Sequence, residues 1–516
     1  MYKTINAILL NLLMAATILM GAVSCTTVTD KEDESKVIAT KDLPTYINLT
    51  IAVSNGINNI TRAGEIPTAG ENGDGREAGF ERENAITGIT LILYEDAANK
   101  GINGADELPI KFVAYYPVTR TDIDEAGTQY TTKQDEAFYT TGNQFVVKNT
   151  IDFTKSYYAI VVANTDLRGV ITTGSTLADV RAYTMRSLYS GDEKSPIESC
   201  ANFVMSSEQN YKLTFPTPVP SAEVGGNLLY SITEPIRIER MAARIDFWSA
   251  CSNGYKTSTD NPAYTTPGYE YSVEGGSDKF VVTGIMPFNL NGGDAINGGE
   301  YLIKRLANEV SASPTITYLE DESGSNYVLD PATTTKADGS LTFFKNTLTS
   351  LGTLADITTL SANPYYKSIA NLHSAVTTAG SSAGYATYTE TPLTGENVII
   401  TYPMENTLWS ASRMFNYATG IAIEGDYYTG GTGTPQHRIY YGYLRHQGTS
   451  SSAYPASLGS DLSSSETSTS SNCMEFGIVR NNIYRVYISK INQEGHLTIN
   501  IKVKKWDKFT HATIYM

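Results

Sequence analysis

Cysteine, histidine, tryptophan and net positive charge are all in short supply along this 516-residue chain. Four cysteines, Cys25, Cys200, Cys251 and Cys473, cannot build a disulfide framework for a protein of this size, so stability has to come from packed secondary structure. The five histidines, His373, His437, His446, His496 and His511, show no ligand spacing such as H-E-x-x-H, and the thiols lie far apart, so no metal and no cofactor is indicated. A formal net charge of −16 repels phosphate backbones and anionic headgroups, which argues against nucleic acid as a partner and against charge-driven membrane binding. Long apolar runs are missing too: Ala7 to Met20 is too short and too lightly flanked for a stable membrane span.

Catalytic patterns are equally thin. Gly380-Ser381-Ser382-Ala383-Gly384 matches G-x-S-x-G, but Thr, Ala and Ser surround it where a buried strand feeding a helix would be needed, so the elbow has no scaffold. Glu95-Asp96 and Glu320-Asp321 read as solvated turn charges rather than a glycosidase pair. The acidic run Asn99 to Glu107 departs from an EF-hand loop, with Lys100 where a ligand is needed. The expectation is a protein that is not an enzyme.

The N-terminus, by contrast, is rich in signal. Lys3 leads into the apolar run, then Gly21-Ala22-Val23-Ser24, then Cys25, which reads as a secretory signal ending in a lipobox-like site. Ala22 stands where such sites usually carry Leu, and Ala22-Val23-Ser24 also fits an ordinary signal cut at the same bond. Cleavage before Cys25 leaves a thiol that can be acylated, by palmitate for example, tying the chain to a bacterial membrane by lipid alone. The next stretch, Thr26 to Lys36, carries Asp30, Glu32, Asp33 and Glu34 with almost nothing to bury, and reads as a solvated tether.

Beyond it, strands dominate. Tyr46 to Val53 alternates apolar and polar residues, as do Ile89 to Tyr94, Tyr157 to Ala163, Lys279 to Ile285, Tyr484 to Ile491 and Leu497 to Val503. Turn-rich stretches such as Asn291-Gly292-Gly293-Asp294 and Gly430-Gly431-Thr432-Gly433 separate the runs, and the low-complexity stretch Ser450 to Ser471 reads as a long exposed loop. The fold class expected is mainly β, built as sandwiches, with two packing helices. One starts at a capping box formed by Thr176 and Asp179, with Leu177, Val180, Thr184 and Leu188 following; the other spans Pro364 to Val376. A change of domain is expected near Thr233 to Pro235, after the Pro- and Gly-rich segment Pro216 to Gly226.

Four blocks, in order, carry a family resemblance. Ile238-Glu239-Arg240-Met241-Ala242-Ala243-Arg244-Ile245-Asp246-Phe247 resembles the basic-apolar strand that opens the second domain of fimbrillins, the major subunits of the type V pili of Gram-negative Bacteroidales. Upstream, Tyr158-Ala159-Ile160-Val161-Val162-Ala163-Asn164-Thr165 followed by Thr176-Leu177-Ala178-Asp179-Val180 is similar to the family's strand, Ala-Asn turn and helix. Downstream, Tyr402-Pro403-Met404-Glu405-Asn406-Thr407 resembles its Glu-Asn segment, and Ile478-Val479-Arg480-Asn481-Asn482-Ile483-Tyr484-Arg485-Val486 its Arg-Asn lead into the penultimate strand, with Trp506 in the final one. The matches run from about Tyr94 to the C-terminus. The resemblance implies two tandem transthyretin-like β-sandwich domains, residues 63–235 and 236–516, after a signal peptide (1–24) and a lipidated propeptide (25–62).

It also implies a life history. Such subunits reach the outer membrane as lipoproteins and are then cut after an Arg by an Arg-specific protease, which removes the anchor together with the first strand. They assemble into extracellular fimbriae that support adhesion and biofilm formation. Here the removable strand carries Ile47, Leu49, Ile51 and Val53 on one face. Burying four such side chains is worth about 6 to 12 kcal/mol, so the bared groove favours any strand of matching alternation. The donor implied is the C-terminal segment with Ile499, Ile501, Val503 and, after a phase shift at Lys505, Trp506, extended by Asp507 to Met516; the contact is head-to-tail and open-ended. The pattern alone favours a final strand of its own domain, as most terminal strands are, and only the resemblance makes it a donor. Arg62 in the turn-prone Asn58-Asn59-Ile60-Thr61-Arg62-Ala63-Gly64 is the cut expected, with Arg76 and Arg82 as alternates; as bare sequence all three are also solvated loop charges. Partners expected are further copies and other fimbrial subunits, the protease, and host or bacterial surface ligands. A tip or accessory adhesin that binds protein or glycan through its many Tyr residues is the alternative.

Replacing Cys25 with Ser is expected to abolish incorporation of labelled palmitate into the expressed chain while leaving its export intact; undiminished labelling in Cys25→Ser would exclude Cys25 as the anchor.

Overall fold

The computed structural model describes residues 45–53, 76–95, 107–117, 137–140, 144–149, 151–185, 188–190, 200–207, 210–221, 225–232, 234–290, 300–301, 360–361, 365–379, 387–406, 418–444, 454–456, 478–492 and 497–507. Cys25 and its tether, Arg62, the motif around Ser382, most of Ser450 to Ser471 and the tail beyond Asp507 lie outside them. Among the described residues no helix is long and apolar enough to cross a membrane.

The first half runs β1 (Thr45–Val53), β2 (Arg76–Ala78), α1 (Glu81–Asn84), β3 (Gly88–Glu95), β4 (Ile110–Pro117), β5 (Ala137–Thr140), β6 (Gln144–Asn149), β7 (Tyr157–Ala163), α2 (Leu177–Ala182), β8 (Thr184–Met185), β9 (Met205–Ser207), β10 (Tyr211–Leu213), β11 (Val219–Pro220), β12 (Leu228–Ser231) and β13 (Ile236–Arg240). The second runs β14 (Arg244–Trp248), β15 (Tyr255–Lys256), β16 (Gly268–Ser272), β17 (Lys279–Phe288), β18 (Glu300–Tyr301), β19 (Lys367–Ser368), α3 (Ile369–Ala379), β20 (Tyr388–Glu390), β21 (Leu393–Gly395), β22 (Asn397–Thr401), β23 (Gly420–Tyr428), β24 (Gln436–Tyr443), β25 (Tyr454–Ala456), β26 (Asn482–Ile491) and β27 (Leu497–Asp507). The fold is mainly β, as the alternation predicts.

In the first half the sheet order is β11-β12-β1-β13-β9-β7-β3-β4, with β5 and β6 attached through β1 and β10 through β7. β3 and β7 are buried nearly throughout, on both faces rather than on the single face that the alternation read from their sequences implies, and they anchor a core that also takes Ile47, Leu49 and Ile51 from β1. In the second half a five-stranded sheet, β2-β27-β26-β14-β22, faces a seven-stranded one, β15-β16-β17-β23-β24-β25 with β19 on β17. Phe247, Val486, Ile488, Ile499 and Ile501 from the first pack against Phe280, Val282, Ile421 and Ile423 from the second, and Ile369 and Leu372 of α3 close the same core.

Three boundaries differ from the sequence expectation. The chain passes from one half's sheets to the other's at Met241 to Ala243, beyond Thr233 to Pro235, because Ile236–Arg240 pairs with β1 and β9 while Arg244–Trp248 pairs with β22 and β26. Helix α2 has the capping box read from Thr176 and Asp179, with reciprocal bonds of 2.7 and 3.3 Å, but ends at Ala182 because Thr184–Met185 pairs with β18. Helix α3 starts at Ile369, since Lys367–Ser368 first pairs with β17. Tyr454–Ala456, within the low-complexity stretch, adds a short strand to β24.

The Ala-Asn turn after β7 is a structural keystone. Asn164 sits at φ 65°, a conformation Asn tolerates better than most residues, and its side chain accepts from Thr87 N at 2.7 Å and donates to the carbonyls of Ala85 (2.8 Å) and Phe203 (2.7 Å). Asn164→Ala is expected to cost about 2 to 4 kcal/mol in urea denaturation, from three lost bonds and a strained φ. Asn164→Gly, relieved of the strain, should lose measurably less.

Candidate functional site: the first strand, the last strand and the buried cluster between them

β1 is an internal strand. On one side Thr45 to Thr50 runs antiparallel to β6; on the other Thr45 to Asn48 runs parallel to β12 and Ile51 to Val53 parallel to β13. Among the described residues, this one strand carries the pairing between the segment β11-β12 and the segment β13-β9-β7-β3-β4. Ile47, Leu49 and Ile51 are fully buried, while Tyr46, Asn48 and Thr50 are half-buried on the opposite face. The strand, TYINLTIAV, contains no ionisable side chain other than the Tyr46 phenol, so its fixings are backbone hydrogen bonds and apolar burial.

β27 is held differently. It pairs antiparallel with β26 along nearly its whole length and, at its end, parallel with β2: Arg76 opposite Lys505, Glu77 opposite Trp506, Ala78 opposite Asp507. Ile499 and Ile501 are buried in the second core, and Trp506 is fully buried in the first. The Trp506 ring stacks on Tyr402 at 5.8 Å and meets Phe203 edge-on at 5.6 Å. Gly79 packs against it so closely that a Cβ there would lie 2.3 Å from Nε1. The segment implied to be the donor is, in this chain, the closing strand of its own sheet.

Around Trp506 lies a buried cluster of charges. The core-facing residues of β14 and β26 alternate with Arg244, Asp246 and Arg485, which point to the opposite side of the five-stranded sheet. Arg244 donates to Asp246 Oδ1 and Oδ2 (both 2.9 Å) and to Glu77 Oε1 (2.8 Å). Arg485 donates to Glu77 Oε2 (2.5 Å) and Oε1 (2.7 Å), to Asp246 Oδ2 (3.0 Å) and to Asn397 Oδ1 (2.8 Å), and its guanidinium lies 3.8 Å over the Tyr388 ring. Glu83 of α1 accepts from Trp506 Nε1 (3.1 Å), from the Tyr402 hydroxyl and, weakly, from Arg244 (3.4 Å). Arg240 donates to the carbonyls of Glu83 (3.0 Å) and Trp506 (2.9 Å) and to the side chains of Asn481 (2.8 Å) and Asn84. Arg244 and Arg485 thus meet the carboxylates of Glu77, Asp246 and Glu83, while Arg240 is held by carbonyl and amide oxygens, so the buried guanidinium groups are hydrogen-bonded as burial of charge demands.

The protonation states follow. Burial would lower Arg485, but the Glu77 carboxylate beside it overrides that and keeps it charged. Burial first and then Glu83 push the Tyr402 phenol well above its ordinary value, so it acts as a donor. A second buried pair, Arg480 Nε to Glu405 at 3.2 Å, sits next to the bridges Ala242 to Met404 and Asn406 to Ile478. Three of the four blocks quoted for the family resemblance, those at 238–247, 402–407 and 478–486, therefore meet beside Trp506.

Of the candidate cleavage residues, Arg76 lies in β2 and Arg82 in α1, stacked 4.1 Å from the centre of the Phe80 ring. Glu77 and Glu83, the central carboxylates, were not singled out by sequence; the available signal was charged residues set inside apolar strands at Arg240, Arg244, Asp246 and Arg485. Among the described residues no group of three or more His, Cys, Asp or Glu side chains is placed to hold a metal. His373 instead pairs with Glu396 at 2.7 Å and stacks on Tyr255.

No family model matches the chain, and no curated protein matches it. Solved structures with a similar arrangement include a candidate cell adhesion protein from Bacteroides eggerthii, 11% identical, covering 90% of this chain and 96% of that one at a TM-score of 0.39. The tip fimbrial protein Mfa3 from Porphyromonas gingivalis, with a C-terminal truncation, is 9% identical over 90% of this chain and 99% of that one, at 0.38. A candidate cell adhesion protein from Parabacteroides distasonis is 12% identical over 90% and 99%, at 0.36.

The hairpin β20–β21 lies over β27, with Glu390 paired to Lys502 and to Lys504 (3.1 Å). Burial alone would raise Glu390, yet the two lysines outweigh it and hold its carboxyl below the usual glutamate range. A depressed carboxyl contributes stability above the unfolded value of about 4.3 and loses it as pH falls through the folded value. Glu390→Gln should therefore unfold at lower urea than the parent at pH 7, and the difference should vanish towards pH 2; a gap that persists in acid would show that the ion pairs contribute nothing.

Proposed function

We propose that this chain is a non-catalytic subunit of an extracellular fimbrium, exported as an outer-membrane lipoprotein through Cys25, cut after Arg62 by an Arg-specific protease, and joined to its neighbours by strand exchange in the service of adhesion and biofilm formation. The observation that carries the reading is the setting of β1: an internal strand without a formal charge at neutral pH, followed in the sequence by residues 54–75, in which Arg62 is the sole basic residue. A cut there separates β1 from the rest of the chain without breaking an ion pair of the buried cluster. Withdrawing β1 bares two backbone edges and the pockets of Ile47, Leu49 and Ile51 together, and a neighbour's extended strand restores both the hydrogen bonds and the apolar contacts.

The donor end admits two readings. In a shaft subunit, Ile499, Ile501, Val503 and Trp506 or the tail beyond Asp507 enter the next copy. The fixings of β27 favour the second, a tip or accessory position: pulling Trp506 out would strip bonds from Glu83 and Arg240 inside the fold, and a buried charge that loses its partner costs about 3 to 5 kcal/mol. A subunit that keeps both β27 and the tail beyond it accepts a strand and gives none.

Purified precursor treated with an Arg-specific protease is expected to yield a chain beginning at Ala63, which then either forms ladders on unheated gels or stays monomeric and captures a synthetic peptide copying Thr45–Val53. Ladders that survive deletion of residues 508–516 but not of 497–516 assign donation to β27. A cleaved chain that neither multimerises nor takes up the peptide overturns the proposal.

A further inference from the structure

We infer that residues 76–84 form a retained clamp that sets where proteolytic processing stops, with Glu77 and Glu83 as its specificity-determining side chains. The inference rests on the reading of residues 54–75 as the processed linker, and concerns what keeps the protease from travelling further along the chain.

A protease draws an extended stretch on both sides of the scissile bond into its cleft, so a bond held in a paired strand or a packed helix is cut only after that element opens. The Arg76–Glu77 bond lies in β2, opposite Lys505 and Trp506, and Glu77, 11% exposed, bridges two arginines with fully buried side chains. Opening β2 takes Glu77 from both and leaves Asp246 as the remaining carboxylate bonded to Arg485, with Arg244 shared between Asp246 and the distant Glu83. The Arg82–Glu83 bond lies in α1, where Glu83 is fully buried, its neighbour Asn84 bonds to Arg240, and Gly79 is wedged against Trp506. Both elements open at the expense of buried charge pairs. β1 differs sharply, because its sequence holds no carboxylate to pair with these arginines.

The clamp therefore has two consequences. Processing ends upstream of Arg76 although Arg76 and Arg82 both satisfy an Arg-specific enzyme. The shortened subunit also keeps the two carboxylates that neutralise the back of its second sheet, so loss of β1 leaves the closing strand in place.

The test is limited digestion of the full-length chain with an Arg-specific endoprotease, the new N-termini being identified by sequencing and intact mass. The parent should give ends at residue 63 and resist cutting at Arg76 and Arg82. Glu77→Gln and Glu77→Ala should raise the rate of ends at residues 77 and 83 by about tenfold or more, the factor by which an opening equilibrium shifts when about 1.4 kcal/mol is removed. Cuts after Arg237 in β13 and Arg438 in β24, strands that do not touch Glu77, serve as the control: if they rise in step, Glu77 supports the whole fold and the clamp is overturned. In Arg62→Lys, Arg76 and Arg82 should remain uncut; rapid cutting there overturns the clamp as well. A parent chain left whole at Arg62, whose Arg76 and Arg82 still open on loss of Glu77, would sink the processing reading while supporting the clamp.

Discussion

Three arginines buried where two halves of a protein meet impose a strict requirement: each must find its counter-charges inside the fold. Arg240 ends a strand of the first half, Arg244 begins the first strand of the second, and Arg485 comes from its penultimate strand. Their partners are gathered from everywhere else, Glu77 and Glu83 from the segment after the first strand, Asp246 from β14, and the carbonyl of Trp506 from the last strand. Because a stranded guanidinium is so costly, these distant pieces of chain have little freedom to sit anywhere else.

The two terminal strands are thus fastened by different physics. β1 is kept by hydrogen bonds and by the burial of Ile47, Leu49 and Ile51, interactions that any strand with the same alternation can supply. β27 is kept by those forces and by a charge pattern found at one spot in the molecule. The two ends of the described chain thus differ in how readily another strand of the same alternation could take their place.

The strands were legible because their alternation is local. Leu497 to Val503 was visible as alternation that the structure extends to Asp507, whereas Tyr157 to Ala163, also read as alternating, is buried on both faces. The capping box at Thr176 was legible for the same reason, whereas the end of α2 was set by pairing with Glu300 and Tyr301, far along the sequence. Glu77 was illegible because a carboxylate in a Gly-rich stretch looks like a solvated turn, and only the arrival of Arg244 and Arg485 from 167 and 408 residues away makes it a bridge. The Arg-containing blocks at 240–246 and 480–485 were noticed as a resemblance before their meaning as one cluster was visible.

The placement of β1 also constrains the order in which the molecule can form. Its neighbours on one side are residues 228–238, so the earliest strand to emerge has no complete berth until nearly half the chain has followed it. Pairings of such wide sequence separation close slowly, since the intervening loop entropy must be given up before any contact repays it. Until then the alternating face of Ile47, Leu49 and Ile51 stays bare and sticky, and a chain of this design depends on something, a chaperone or simple dilution, to keep that face solitary during maturation.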